Sequence, residues 1–348
     1  MKVDSKLTIS DIAKMANVST TTISRYINGK YEYMSEDTKN KITQIINKYQ
    51  FQPSNIARSL KNKSTKLIGV VISDIENPFS APTIKSMNQC ILESNLHMIV
   101  SSANNSLTQE NKIVDSLVAQ RVDAILINPV SCENKYLFEI NKQIPVILLD
   151  RNLNDSNLDI IYSENIKSVN LILDHLFEEG YKNVYLFTED YSLISTRKDR
   201  LDTFIKYLNK KKIKNSQDYV CLINKYDDLG IENKIKDIIK KNNTPSVIFA
   251  TNGPTLMKVA YIIKKLGLKM PHEIGLCGYD DFGSLTEMGW AQLNSVSLTT
   301  LAPNWVSLGK MAIKATIKRV SNPNLSVQKI PIDVPLFKRD STNLKNFS

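Results

Sequence analysis

The chain has 348 residues, with 45 Lys and Arg against 35 Asp and Glu, a formal charge of +10, and 42% hydrophobic residues. That length supports more than one folded unit around a sizeable core, and no apolar run is long enough to span a bilayer. Four cysteines (Cys90, Cys132, Cys221, Cys277) and three histidines (His97, His175, His272) are scattered without metal or redox spacing, so no metal or cofactor is expected and a reducing compartment is.

The charge is uneven. Residues 1–66 carry twelve Lys and Arg against five Asp and Glu, a net +7, which leaves +3 for the rest. A small basic unit beside a nearly neutral large one points to a polyanion partner. The polar start runs straight into helix-forming sequence without a signal-peptide pattern, so the expected location is cytoplasmic.

The first helix opens at Thr8, which can cap it with Asp11 as capping-box partner. Ile9, Ile12, Ala13 and Ala16 then share one face. Asn17-Val18 breaks the pattern, and Asn tolerates the left-handed conformation needed there. Ser19 can cap a second helix in which Ile23 and Ile27 point inward. Asn28-Gly29 stops it. Its outward residues, Thr20, Thr21, Ser24 and Arg25, suit base edges or phosphates. The pair is a helix-turn-helix whose second helix would lie in a DNA major groove. Thr8, Ser19, Thr22 and Asn28 complete the DNA-facing set. After the loop Lys30–Met34, Ser35 caps a third helix with Ile42, Ile45, Ile46 and Tyr49 as its buried stripe. Pro53–Leu60 is helix-competent, and Lys61–Lys66 reads as a basic linker.

These motifs carry a resemblance. Thr8-Ile-x-Asp-Ile-Ala, Val18-Ser-x-x-Thr-Ile-Ser-Arg25, Asn55-x-Ala-Arg-Ser-Leu60 and Ile68-Gly-Val are similar to the LacI–GalR family of bacterial transcription regulators. Asn17 departs from the family's usual turn glycine. The resemblance implies a hinge helix over Pro53–Leu60 that folds on operator DNA through Asn55, Ala57, Arg58 and Leu60. Leu60 would wedge into the minor groove and bend the duplex. The stretch Asn28–Ser35 further resembles the family's regulators of ketodeoxygluconate and uronic-acid breakdown, which implies a sugar-acid effector.

From Leu67 onward short Val-, Ile- and Leu-rich runs alternate with amphipathic segments. Strands are expected at 67–73, 97–101, 124–128, 146–150, 183–188, 219–223, 246–250, 275–279 and 330–337. Helices are expected at 81–94, 109–120, 166–179, 198–210, 230–241, 254–266 and 305–319. Apolar runs without alternation suit strands buried on both faces of a parallel sheet, and the βα repeat implies doubly wound sheets. The tail 338–348 reads as frayed. The expected architecture is an all-α helix-turn-helix headpiece (1–52), a hinge and linker (53–66), and a two-lobed α/β core (67–348). The resemblance adds that the core is like a periplasmic sugar-binding protein.

Ligands bind outside the carboxyl ends of strands in such sheets. Those ends carry Phe79, Asn128, Asp150, Asn252 and Asp280, polar groups for hydroxyls and a ring for a sugar's C–H face. Arg200, Asp280, Asn252 and Asp150 match effector positions in the family. Arg151 and Arg197 suit an acidic effector. The sequence has no P-loop, no GxGxxG and no nucleophile elbow, so an enzyme is not expected. The competing reading is a sugar-binding or sugar-processing α/β protein with an incidental basic N-terminus. The favoured one is a homodimeric regulator that binds double-stranded operator DNA and a sugar or sugar-acid effector, with no membrane partner.

Overall fold

The computed structural model describes residues 7–51, 64–242, 244–281, 290–292 and 295–345. These fall into two compact units, Met1–Lys66 and Leu67–Ser348. The expected hinge residues Asn55, Ala57, Arg58 and Leu60 lie outside the described residues.

The small unit packs α1 (Ile9–Ala16), α2 (Thr20–Ile27) and α3 (Glu36–Lys48) around Ile12, Ala13, Ala16, Ile23, Ile42 and Phe51. Its ends follow local chemistry. Thr8 and Asp11 form a full capping box: the Thr8 amide donates to Asp11 Oδ2 at 2.9 Å and the Asp11 amide to Thr8 Oγ1 at 3.3 Å. Asn17 closes α1 in the left-handed region at φ 56°, where glycine is otherwise favoured. Gly29 closes α2 at φ 72°, and the Lys30 amide reaches back to the Arg25 carbonyl at 3.0 Å. Tyr49 corrects the expected stripe of α3. It is 45% exposed, past the helix end, and Phe51 fills the core instead.

The large unit holds two six-stranded sheets. The first sheet orders β11 (Lys329–Ile332), β5 (Asp159–Ser163), β4 (Val146–Leu149), β3 (Ala124–Ile127), β1 (Leu67–Ile72) and β2 (His97–Ser102), all parallel. The second orders β12 (Leu336–Phe337), β10 (Thr299–Leu301), β9 (Ile274–Tyr279), β8 (Ser246–Ala250), β6 (Asn183–Thr188) and β7 (Val220–Leu222). Only β12 runs antiparallel there, beside β10. The two orders correspond strand for strand, so the lobes are two copies of one doubly wound plan. Strands β3, β4 and β8 are buried at every residue, as continuous apolar runs require.

Neither lobe is one continuous stretch. Helix Asn165–Glu178 follows β5 but packs in the second lobe. Helix Trp305–Ser321 follows β10 but packs against β5 and helix Ser80–Glu93 of the first. The last two strands again divide between the sheets. The expected single strand 330–337 is thus two short edge strands. Pro331 sits within the first, as edge strands allow, and Pro335 precedes the second. Helix Trp305–Ser321 crosses so closely that a Cβ on Gly309 would stand 2.7 Å from the Thr83 carbonyl oxygen. Strands β5 and β10 and the helix Tyr136–Asn141 are additional to the expected elements.

The expected frayed tail is also corrected. Ser341 and Thr342 are fully buried. Arg339 donates to the Leu298 carbonyl at 2.7 Å and pairs with Asp281 at 2.5 Å. Thr342 meets His175 Nε2 at 2.9 Å. A short polar segment can dock in this way when each of its groups finds a partner.

Candidate functional site

The cleft lies between the lobes, at the carboxyl ends of the strands. Strands β4 and β9 hold corresponding places in the two sheets, and an aspartate follows each. Asp150 and Asp280 both adopt the left-handed conformation, at φ 61° and 75°. Each gives its amide to the neighbouring strand, Asp150 to the Ile161 carbonyl at 2.7 Å and Asp280 to the Leu301 carbonyl at 2.8 Å. Aspartate tolerates this conformation better than most residues. The repeat therefore sets one carboxylate from each lobe at the same cavity, which Phe79, Asn128, Arg200 and Asn252 also line.

Their side chains are not equally free. Asn128 is spent across strand ends: its Oδ1 accepts from Ser73 Oγ at 2.6 Å and its Nδ2 donates to the Leu149 carbonyl at 2.8 Å. Asn252 caps helix Gly253–Lys265 by accepting from the Thr255 amide at 2.9 Å, and its Nδ2 donates to Glu189 at 3.0 Å. Asp150 Oδ1 accepts from the amide and hydroxyl of Ser163 at 3.2 and 2.8 Å. Phe79 sits edge-on to Trp305, ring centroids 5.0 Å apart. The two rings form an apolar wall for a C–H face.

Arg200 is buried without a carboxylate within 4.0 Å among the described residues. Its Nε donates to Asn165 Oδ1 at 2.8 Å and its Nη1 to the Thr251 carbonyl at 2.5 Å. The guanidinium lies 3.5 Å from the Tyr279 ring centroid, and the Tyr279 hydroxyl meets Ser168 Oγ at 2.6 Å. One Nη remains to donate. Asp280 Oδ2 accepts from the Gly253 amide at 2.7 Å, and its Oδ1 takes no bond among the described residues. Burial pushes the Asp280 carboxyl up to about 6 against the opposing pull of Arg200. The pair thus offers one free donor and one free acceptor, which suits a polyol.

Arg151, from the first lobe, and Arg197, from the second, stand at the cleft mouth beside Asn77 and Ile194. Arg197 pairs with Glu189 at 2.6 Å. Arg151 donates to the Pro129 carbonyl at 3.1 Å and has no carboxylate within 4.0 Å among the described residues. Burial, then the nearby Arg197 charge, lowers its pKa to about 10. Hydrogen bonds tie the lobes across this rim, from the Cys132 amide to the Leu193 carbonyl at 2.9 Å, from Cys132 Sγ to the Ser192 carbonyl at 3.8 Å and from the Asn152 amide to Ser195 Oγ at 2.8 Å. Of the pocket lining, sequence reasoning missed Ser73, Ile194, Thr196 and above all Trp305. It reads as the start of a core helix, and only the chain's return to the first lobe brings it to the cleft.

In the small unit, Thr20, Thr21, Arg25 and Asn28 are exposed. Ser19 caps α2 by accepting from the Thr22 amide at 3.1 Å, and its hydroxyl meets that of Thr22 at 2.9 Å. Asn28 Nδ2 donates to the Ser24 carbonyl at 2.7 Å. Thr8 Oγ1 donates to Asp11 Oδ2 at 2.6 Å. The chain therefore pairs a helix-turn-helix with a two-lobed cleft.

Comparison with known proteins finds the same pairing. Residues 8–54 match the family of bacterial regulatory proteins, lacI family, and residues 65–340 match periplasmic binding proteins and sugar binding domain of LacI family. The chain belongs to the LacI family. As a LacI-family protein it is a DNA-binding transcription regulator and not an enzyme. It is 32% identical to the HTH-type transcriptional regulator KdgR of Bacillus subtilis (strain 168), over 96% of this chain and 97% of that one. The Ribose operon repressor of Haemophilus influenzae is 24% identical over 96% of this chain and 98% of its own length. In fold the chain is similar to a Lac repressor dimer solved with operator and the anti-inducer ONPF, with TM-score 0.80 and 21% identity over 97% and 99% of the two chains. Among the described residues, no helix is long and apolar enough to cross a membrane.

Proposed function

We propose that this LacI-family regulator is a cytoplasmic homodimer whose affinity for a pseudo-palindromic operator is switched by a sugar acid in the core cleft. In this reading Thr20, Thr21, Ser24 and Arg25 face the major groove, and Asn55, Ala57, Arg58 and Leu60 form the hinge. Phe79 and Trp305 cover the sugar's C–H face, while Asp150, Arg200 and Asp280 pair its hydroxyls. Asn128 and Asn252 shape the cleft more than they contact the ligand, since their amides are already engaged.

The observation that carries the acidic effector is Arg151, a largely desolvated guanidinium with one carbonyl partner and no carboxylate within 4.0 Å among the described residues, Asp150, Glu110 and Asp74 acting on it only from farther away. A carboxylate placed there gains a charge-assisted bond that a neutral sugar cannot make. The resemblance of Asn28–Ser35 to the family's regulators of ketodeoxygluconate and uronic-acid breakdown supports the same class.

A thermal-shift screen of the full chain against neutral sugars, sugar phosphates and sugar acids tests this. Sugar acids should give the largest shifts. Arg151→Gln should cost about tenfold or more in sugar-acid affinity, as expected for losing a bond to a charged group, while a neutral sugar of the same skeleton binds as before. Equal shifts for acids and neutral sugars, or wild-type acid affinity in Arg151→Gln, would refute the acidic assignment.

A further inference from the structure

Arg25 leaves α2 on its exposed side, and its guanidinium makes no hydrogen bond or ion pair among the described residues. Its guanidinium is nevertheless held, with Cζ 4.8 Å from the centroid of the Tyr33 ring. Tyr33 ends the single turn Tyr31–Tyr33 between α2 and α3, and it is 59% exposed. That turn is fixed to both helices. The Tyr31 ring meets Tyr26 of α2 edge-on, centroids 5.6 Å apart. Lys39 of α3 lies 4.9 Å above the same ring, and the Tyr26 hydroxyl meets Thr43 Oγ1 of α3 at 2.6 Å.

A cation held over a ring is held by the π face and not by a hydrogen bond, so its five N–H groups stay available. A base edge is read by such N–H groups. We propose that Tyr33 is a positioning residue for DNA recognition: its ring holds the Arg25 cation and leaves the N–H groups for one base pair of the operator. Ordering a long side chain before binding lessens what must be ordered on the DNA. The inference rests on Arg25 as a DNA-reading residue, and Tyr33 adds a determinant of specificity outside the recognition helix.

The test is a double-mutant cycle by fluorescence anisotropy, on the full chain. The probes are the duplex that wild-type protein enriches from a randomised pool and its single-base variants. Tyr33→Ala should weaken binding about threefold, the scale of an exposed cation–π contact, with the loss confined to one base pair. Tyr33→Phe keeps the ring and should bind as wild type. In the Arg25→Ala background, Tyr33→Ala should cost nothing further, and all variants should melt with the wild type. Undiminished loss in the Arg25→Ala background overturns the proposal, and so does Tyr33→Phe behaving as Tyr33→Ala. Wild-type binding by Arg25→Ala overturns it as well, by removing the underlying reading of Arg25.

Discussion

Arg200→Ala should lower effector affinity about 10- to 100-fold, the scale of one hydrogen bond to a charged group, and abolish the effector's influence on operator binding. Arg200 offers the cleft a free Nη while its other donors are fixed on Asn165 and the Thr251 carbonyl. Without it, the effector loses a donor and Asp280 loses the cation that opposes its burial. The Thr251 carbonyl also loses its partner, so the core should melt somewhat earlier, by about 1–3 kcal/mol of stability. Arg200→Lys separates charge from geometry: it keeps the cation but not the planar fork, and should fall between wild type and alanine. The same site makes binding pH-dependent. The Asp280 carboxyl titrates at about 6, and a hydroxyl donor favours its ionised form. Affinity should therefore hold above that pH and fall as pH drops through it, about tenfold between pH 7 and 5. Asp280→Asn should flatten the profile. Isothermal titration of the three variants reads all of this. Wild-type affinity in Arg200→Ala, or an unchanged pH profile in Asp280→Asn, would remove the pair from the site.

Operator affinity should fall about 10³- to 10⁵-fold between 50 and 200 mM salt, if each dimer neutralises about 6–10 phosphates. Residues 1–66 of each chain hold a net +7. Ser19 satisfies the Thr22 amide at the amino end of α2, and the first-turn amides of a helix have no partner within it, which suits them to phosphate. Counterion release should then dominate affinity, while in the proposed reading Thr20, Thr21 and Arg25 supply discrimination. The slope of log affinity against log salt is the readout. A flat slope would mean that the basic unit does not meet the duplex.

The headpiece was legible because its signals are local. Caps, a turn residue and an apolar stripe each act within a few residues, and Thr8, Asn17, Ser19 and Gly29 all do what their chemistry predicts. The parallel strands were legible from apolar runs buried on both faces. Strand ends located the cleft, since a strand-end residue must point there whatever its partners. Three things depend on long-range return of the chain and left no local signal. Trp305 reaches the cleft only because helix Trp305–Ser321 crosses back to the first lobe. The tail docks through Arg339, Ser341 and Thr342, whose partners lie far away in sequence. Asn128 and Asn252 look like ligands for a sugar, yet their amides close hydrogen bonds that only the folded strand ends supply. A polar residue at a strand end can serve the ligand or the backbone, and the choice depends on neighbours that sequence spacing does not place.

In the proposed function, cleft and headpiece are coupled. An effector can shift the lobes only by binding one arrangement better than another, and the coupling must then be reciprocal. The direct measurement is calorimetry of the sugar acid found in the screen, titrated into the full chain alone and into the chain saturated with the selected duplex. The effector's affinity should change on DNA by the same factor by which effector changes operator affinity. Equal effector affinity in both titrations would contradict the account.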